Sequence, residues 1–368
     1  MGGADDHDEL RALVRRFLEE KSPSAEVRRL MVLPENRDEK VWRQLSEQLG
    51  LPGLIVGEQY GGAGCGAEEL AVVMEEMGRA LLVAPYLSTV LAAATLSWSG
   101  DDAARERWLP GIADGSLAAT VALDEAGGAW DLDTTTARAS VDDGQWRVTG
   151  DKQFVLDGHL ADLLLVVARV DDGFGVFAVE GSAHGLVRTR TEYLDLTRDL
   201  ATVTMREAPA TRVGGSTDPR RWLDRVYDLA LVALAAEQIG GAGRCLELAV
   251  EHAKVREQFG RPIGSFQAIK HKCAHLLLEV ESGRSATGHA SAALAADDEQ
   301  ASIAAALAKC YCAEAFVHAA KECIQIHGGI GYTWEHDAHL YLRRAKSSAL
   351  LFGTPLKQRA RLADLIGI

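Results

Sequence analysis

The sequence predicts an α+β chain in three parts: a helical domain over residues 1–117, a compact antiparallel β domain over 118–213, and a helical bundle over 214–368. Three observations carry this. In the first third, apolar residues recur at helical spacing, as in Leu10, Leu13, Val14, Phe17 and Leu18. From Leu117 to Arg212 they instead alternate or gather in short β-branched runs between turn residues. Past a polar linker over 214–220, stretches of about 30 residues carry Ala- and Gly-rich faces, the composition of tightly packed long helices.

Each element follows in order. Asp8–Glu20 and Glu39–Leu49 read as helices, and the glycines of Gly50–Gly66 break the pattern. Helices resume over Glu68–Leu82, Ser88–Trp98 and Trp108–Asp114, the last ended by Gly115. Strands are expected at Ala119–Leu123, Trp146–Val148, Leu163–Val170, Phe174–Val179 and Ala201–Met205, with turns such as Asp142-Asp143-Gly144 between them. The bundle helices are expected over Trp222–Val255, Ser265–Ala295, Glu299–His327 and Glu335–Phe352, with Ser265 as an N-cap.

Charge bounds the function. With 53 acidic and 39 basic side chains in 368 residues, the net charge is −14, which argues against a broad nucleic-acid footprint or an anionic-membrane surface. A local basic pocket for a phosphorylated ligand stays open. The six cysteines form no CxxC pair and read as reduced thiols. The longest apolar run near the middle, Leu229–Ala236, is far short of the roughly 20 residues a membrane span requires. The N-terminus MGGADDHDEL has no apolar core of a signal peptide, so a cytoplasmic location is expected.

Several familiar chemistries are missing. Gly61–Gly66 lacks GxGxxG spacing and a preceding strand, and His271 and His275 lie four apart without a third ligand. Two segments look unlike a generic helix surface. Val255–His271 ends one helix, turns through Gly and Pro and starts another, with Arg256 beside the turn in a form suited to a phosphate. Ile324–His336 places Gly328, Gly329 and Gly331 within four positions, which lets backbone approach a ligand closely. As residues alone, both suit turns between bundle helices equally well.

In this order and about 70 residues apart, the two segments resemble the acyl-CoA dehydrogenase family. Gly50-Leu51-Pro52-Gly53-Leu54-Ile55-Val56 through Gly62, Glu75-Glu76-Met77-Gly78-Arg79 and Asp151-Lys152-Gln153-Phe154 agree with it, and the resemblance covers about residues 8–366. It implies that the β domain is a barrel and the bundle four-helical. It also implies FAD, an acyl-CoA thioester substrate, an electron acceptor the sequence does not name, and a homo- or hetero-oligomer with a related subunit. In this family a carboxylate removes the α-proton while the flavin accepts the β-hydride, and the ADP half of the FAD is gripped by a neighbour's bundle. By resemblance, the cofactor-binding residues are Arg256, Phe259, Gln267, Gln325, Gly328, Gly329 and Thr354.

The reactive half departs from the pattern. The position of the usual catalytic Glu, 27 residues after Gln325, is Phe352, and the alternative base position, 26 residues before Arg256, is Ala230, followed by Leu231. The family's T-E-P-x-A-G-S-D reads Asp124 to Asp131, with Trp130 in place of the Ser. Its flavin-covering W-I-T reads Phe154-Val155-Leu156, without the hydroxyl. Glu237, about 10 Å along the helix from Ala230, stands as a substitute base. Three functions are therefore expected in turn: a partner subunit that grips the ADP half of an FAD working in a companion chain, a self-sufficient dehydrogenase using Glu237, or a non-catalytic scaffold.

Overall fold

A computed structural model describes residues 4–33, 37–125, 130, 132–171, 173–215 and 218–368. Parts of the Asp124–Asp131 motif, of one strand turn and of the 214–220 linker lie outside the described residues. Among the described residues, six α-helices come first: α1 (Ala4–Lys21), α2 (Ser24–Leu30), α3 (Glu39–Leu49), α4 (Ala67–Ala80), α5 (Tyr86–Trp98) and α6 (Asp102–Ala113). Asp38 and Asp101 cap α3 and α6 through their side chains, accepting backbone N–H groups that the helices leave free.

Seven strands follow among the described residues: β1 (Ala119–Ala122), β2 (Arg138–Asp142), β3 (Gln145–Leu156), β4 (Leu163–Val170), β5 (Gly173–Glu180), β6 (Leu186–Arg190) and β7 (Leu200–Val213). Pairing runs β4–β5–β7–β3–β2 and returns from β2 to β4, so the sheet closes on itself, with β1 on β4 and β6 on β7. Closure removes free edges. The barrel is not wholly antiparallel as expected: β1 runs parallel to β4, and β2 meets β4 in a single parallel bridge, Arg138 to Arg169. The β2–β3 hairpin is the crossover connection that a parallel β1–β4 pair needs. The barrel interior is apolar, built on Val148, Val166, Phe177, Val203 and Met205.

The remainder is helical: α7 (Arg220–Val255), a two-stranded hairpin of β8 (Glu257–Gln258) and β9 (Arg261–Pro262), α8 (Gln267–Ala295), α9 (Ala301–His327), α10 (Ala338–Leu350) and α11 (Pro355–Leu365). Ser265 does not cap α8 as expected. It sits in a 3-10 turn with its hydroxyl donating to Pro262 O, and Phe266 takes the N-cap position. α7, and α9 with the turn after it, are long and apolar enough to cross a membrane. Yet 94% and 61% of their apolar windows are buried inside the molecule. All six cysteines are free; Cys245, Cys312 and Cys323 are buried and the others half-buried.

The N-terminal helices and the bundle share one core, in which Leu45, Leu70 and Met74 pack with Leu231, Leu234 and Phe316. The Glu75-Glu76-Met77-Gly78-Arg79 motif makes that junction. Glu75 pairs with Arg11 and Arg284, Glu76 with Arg11 and Arg15, and Arg79 with Glu247. Two glycines let α4 and α7 touch: a Cβ on Gly78 would lie 1.9 Å from Glu237 O, and one on Gly240 would lie 1.8 Å from Glu75 O.

Candidate functional site

At the far end of α7 the chain leaves the bundle as a short hairpin. Phe259 and Gly260 occupy its two-residue loop with φ of 54° and 74°, the doubly left-handed geometry of a type I′ turn. A phenyl-bearing residue is unusual there, and Phe259 is 92% exposed. Arg256, at the α7 C-cap, is exposed, and its guanidinium makes no hydrogen bond or ion pair among the described residues. Gln267 opens α8, and Gln325, Gly328 and Gly329 close α9, all four exposed.

Contacts beneath hold this end together. Ala249, Ala253 and Ile326 form a small apolar cluster joined by Ile263 and Ile269. The His252, His327 and His336 rings lie in series, tilted against one another, with centroids 4.3 and 4.2 Å apart. His327 donates from Nδ1 to Cys323 O at 2.7 Å, and burial, the other two histidines and Arg256 all push His252 below its usual range. Six of the seven residues expected to grip a cofactor therefore share one end of the bundle, with uncommitted donors facing outward.

Thr354 does not join them. It caps α11, accepting from Lys357 N at 3.2 Å, one turn from Phe352. Phe352 O is bonded to Tyr227 on the opposite end of α7, and the 29 residues from Tyr227 to Arg256 span roughly 44 Å of helix. One chain thus carries the two groups of residues at separate places.

Near Thr354 the positions expected to hold the chemistry meet around a cavity of only about 20 Å³, lined by Ser88, Trp130, Gln153, Phe154, Leu156 and Phe352 among others. Trp130 stacks on Tyr227 at 5.3 Å and meets Phe352 edge-on at 5.7 Å. Ala230 is fully buried in the α7 core. Phe154 and Phe352 both hold left-handed φ, 54° and 58°, where a bulky side chain is strained. Lys152, also from the β3 motif, is fully buried and donates to Glu125 Oε1 at 2.7 Å and Leu123 O at 3.0 Å, tying β3 to the segment before Trp130. Burial alone would raise the Glu125 carboxyl, but bonds from Lys152, Thr136 and Ala137 N outweigh it and hold it down at about 2.

Glu237 lies in a different setting. Its Oε1 accepts from Arg198 and from Ser348 Oγ at 3.3 Å, and Arg344 Nη1 stands 3.3 Å away. Arg344 continues to Asp195 at 3.2 Å and to Thr197 O at 2.6 Å. Burial would raise the Glu237 carboxyl, but Arg198 and Arg344 reverse this and keep it below its ordinary range. Sequence reasoning missed these two arginines, because they sit on the β6–β7 loop and on α10, far along the chain.

Three domain profiles match the chain: acyl-CoA dehydrogenase N-terminal domain over residues 4–116, middle domain over 120–207 and C-terminal domain over 229–366. The chain belongs to the acyl-CoA dehydrogenase family. It is 35% identical over 363 residues to acyl-CoA dehydrogenase IpdE2 of Mycolicibacterium smegmatis, covering 98% of each chain. Among solved structures it resembles a chain of the Tcur3481-Tcur3483 steroid ACAD (G363A variant), with a TM-score of 0.89 at 34% identity over 99% of this chain and 98% of that one. It also resembles a chain of the ChsE4-ChsE5 complex from Mycobacterium tuberculosis, with a TM-score of 0.90 at 29% identity over 100% of this chain and 98% of that one.

Acyl-CoA dehydrogenases are FAD flavoproteins, and the two ends of this member suit that cofactor unequally. The free guanidinium of Arg256 and the exposed backbone at Gly328 and Gly329 fit a diphosphate and a nucleoside edge. The pocket of Trp130, Phe154 and Phe352 does not fit a flavin ring: about 20 Å³ admits one water at most.

Proposed function

We propose that the chain is the partner subunit of a heteromeric acyl-CoA dehydrogenase that desaturates an acyl-CoA thioester at its α,β bond. In this reading its bundle end holds the ADP half of an FAD whose flavin lies in a companion subunit, and the companion supplies the catalytic carboxylate. The observation that carries it is the division itself: six grip residues gathered at one end, with the Arg256, Gln267 and Gln325 side chains uncommitted among the described residues, and Phe352 with Trp130 where the acid and hydroxyl would stand. Bound FAD supplies the electron-accepting chemistry; this chain's part is to anchor and orient it through Arg256, Gln325 and the two glycines. Likeness to chains from the ChsE4-ChsE5 complex and a steroid ACAD supports a two-polypeptide assembly and a steroid-derived acyl group.

Glu237 is not the base in this reading. A carboxylate shared by two buried arginines binds a proton less readily than a free one, the opposite of what α-proton removal needs. Nor is the chain a bare scaffold, which would have no use for an exposed, unpaired Arg256.

The test is to purify the chain alone and with a co-expressed homologue, and to count flavin. The chain alone should neither retain stoichiometric FAD nor oxidise an acyl-CoA, and the complex should carry one FAD per two chains. Arg256→Ala should weaken FAD retention in the complex roughly 10- to 100-fold, the loss of one charge-assisted contact, with the melting temperature of the chain unchanged. Acyl-CoA oxidation by the purified chain alone would sink the proposal.

A further inference from the structure

The substitutions at the reactive end do more than remove functional groups. We propose that Trp130, Tyr227 and Phe352 form a fixed plug that shuts this chain's own copy of the flavin and thioester pocket. This rests on the divided-site reading above and gives it a physical cause.

The three rings brace one another. Trp130 lies over Tyr227 with an interplanar angle of 27° and meets Phe352 at 80°, the offset and edge-on arrangements that aromatic quadrupoles favour. Tyr227 is pinned from behind: its hydroxyl donates to Phe352 O at 2.7 Å, Gln358 Nε2 donates to that hydroxyl and to Phe352 O, both at 2.7 Å, and the Arg361 guanidinium caps the ring at 4.9 Å. Phe352 is 6% exposed, and the plug leaves about 20 Å³, against the several hundred that ligand pockets of this kind enclose.

Among the described residues, Trp130 Nε1 is buried without an acceptor. An indole that forgoes its one hydrogen bond contributes bulk at this position, which fits a filler and not a ligand-binding group. The backbone points the same way. Phe352 keeps a left-handed φ of 58° ahead of Gly353, so its ring is directed inward by the turn that would otherwise present a carboxylate. Gln358 thereby fixes the Tyr227 hydroxyl and the Phe352 backbone, the two surfaces against which Trp130 packs.

The probe is lumiflavin, an isoalloxazine without the ADP half, titrated into the full chain and followed by its fluorescence. The parent chain should not bind it. Trp130→Ser combined with Phe352→Ala should raise binding at least tenfold, while Trp130→Phe, which keeps a ring in place, should stay as closed as the parent. Should the double variant fail to fold by circular dichroism, Trp130→Leu carries the same test with a smaller apolar residue. Binding by the parent equal to that of the opened variant would overturn the plug, as would a folded, opened variant that gains none. FAD per chain in the complex, with Arg256→Ala, decides the divided site separately. The grip can thus hold while the plug fails, and the reverse.

Discussion

Glu237 is the residue where position in the sequence and place in the structure differ most. In the chain it is a lone acid in an apolar run; in the fold it anchors Arg198 and Arg344. Glu237→Gln should therefore lower unfolding free energy by about 3–5 kcal/mol, because it leaves the buried Arg198 guanidinium without its carboxylate partner, and urea unfolding would read that loss. Asp157 offers a pH-dependent counterpart. It is half-buried just past the end of β3 and accepts from Ser88; loss of solvation, the largest influence, together with Asp199, lifts its carboxyl to about 7 against the pull of Ser88, Arg198 and Arg344. The folded state then holds a proton that the unfolded state has released above about 4, so this group's contribution falls as pH rises from there to about 7 and is flat beyond. Asp157→Asn, which keeps an acceptor for Ser88, should gain on the order of 1–3 kcal/mol at pH 8 relative to the parent, with the gain fading toward pH 4. A gain equal at both pH values would refute this assignment.

At the scale of elements, α4 and α7 are fixed by glycine contact. Ala is the better helix former by about 1 kcal/mol, yet Gly240→Ala puts a methyl 1.8 Å from Glu75 O. The helices must separate, so the variant should be less stable by about 1–3 kcal/mol, and a rise in melting temperature would contradict the packing argument. The β8–β9 hairpin predicts the opposite. Phe259 is strained and exposed within the isolated chain, so Phe259→Gly should stabilise the chain by about 1 kcal/mol. The same change should weaken assembly with a companion subunit, measured by ultracentrifugation. Helices and strands were legible where periodicity is local, as for α4, α7 and β4. The parallel β1–β4 pair was not, because strand direction in a sheet depends on where a distant segment lands.

Over the whole molecule, the net charge of −14 and the exposed, unpaired Arg256 are compatible because charge is distributed by surface, not by chain average. The helical–β–helical order, the arrangement of the two glycine-bearing turns and the lack of an acid at positions 352 and 230 are legible in the residues alone. Such properties are local or positional, and side-chain identity suffices for them. What the replacements do together emerges in the folded chain. Folding brought Trp130 from the β domain, Tyr227 from α7 and Phe352 from the turn after α10 into one stack. It also parted Thr354 from Arg256 by the length of α7, and gave Glu237 arginines from 39 residues before it and 107 after. The physical reason is that closing a cavity and compensating a buried charge are contacts between residues distant in sequence, and no local pattern encodes which of them will meet.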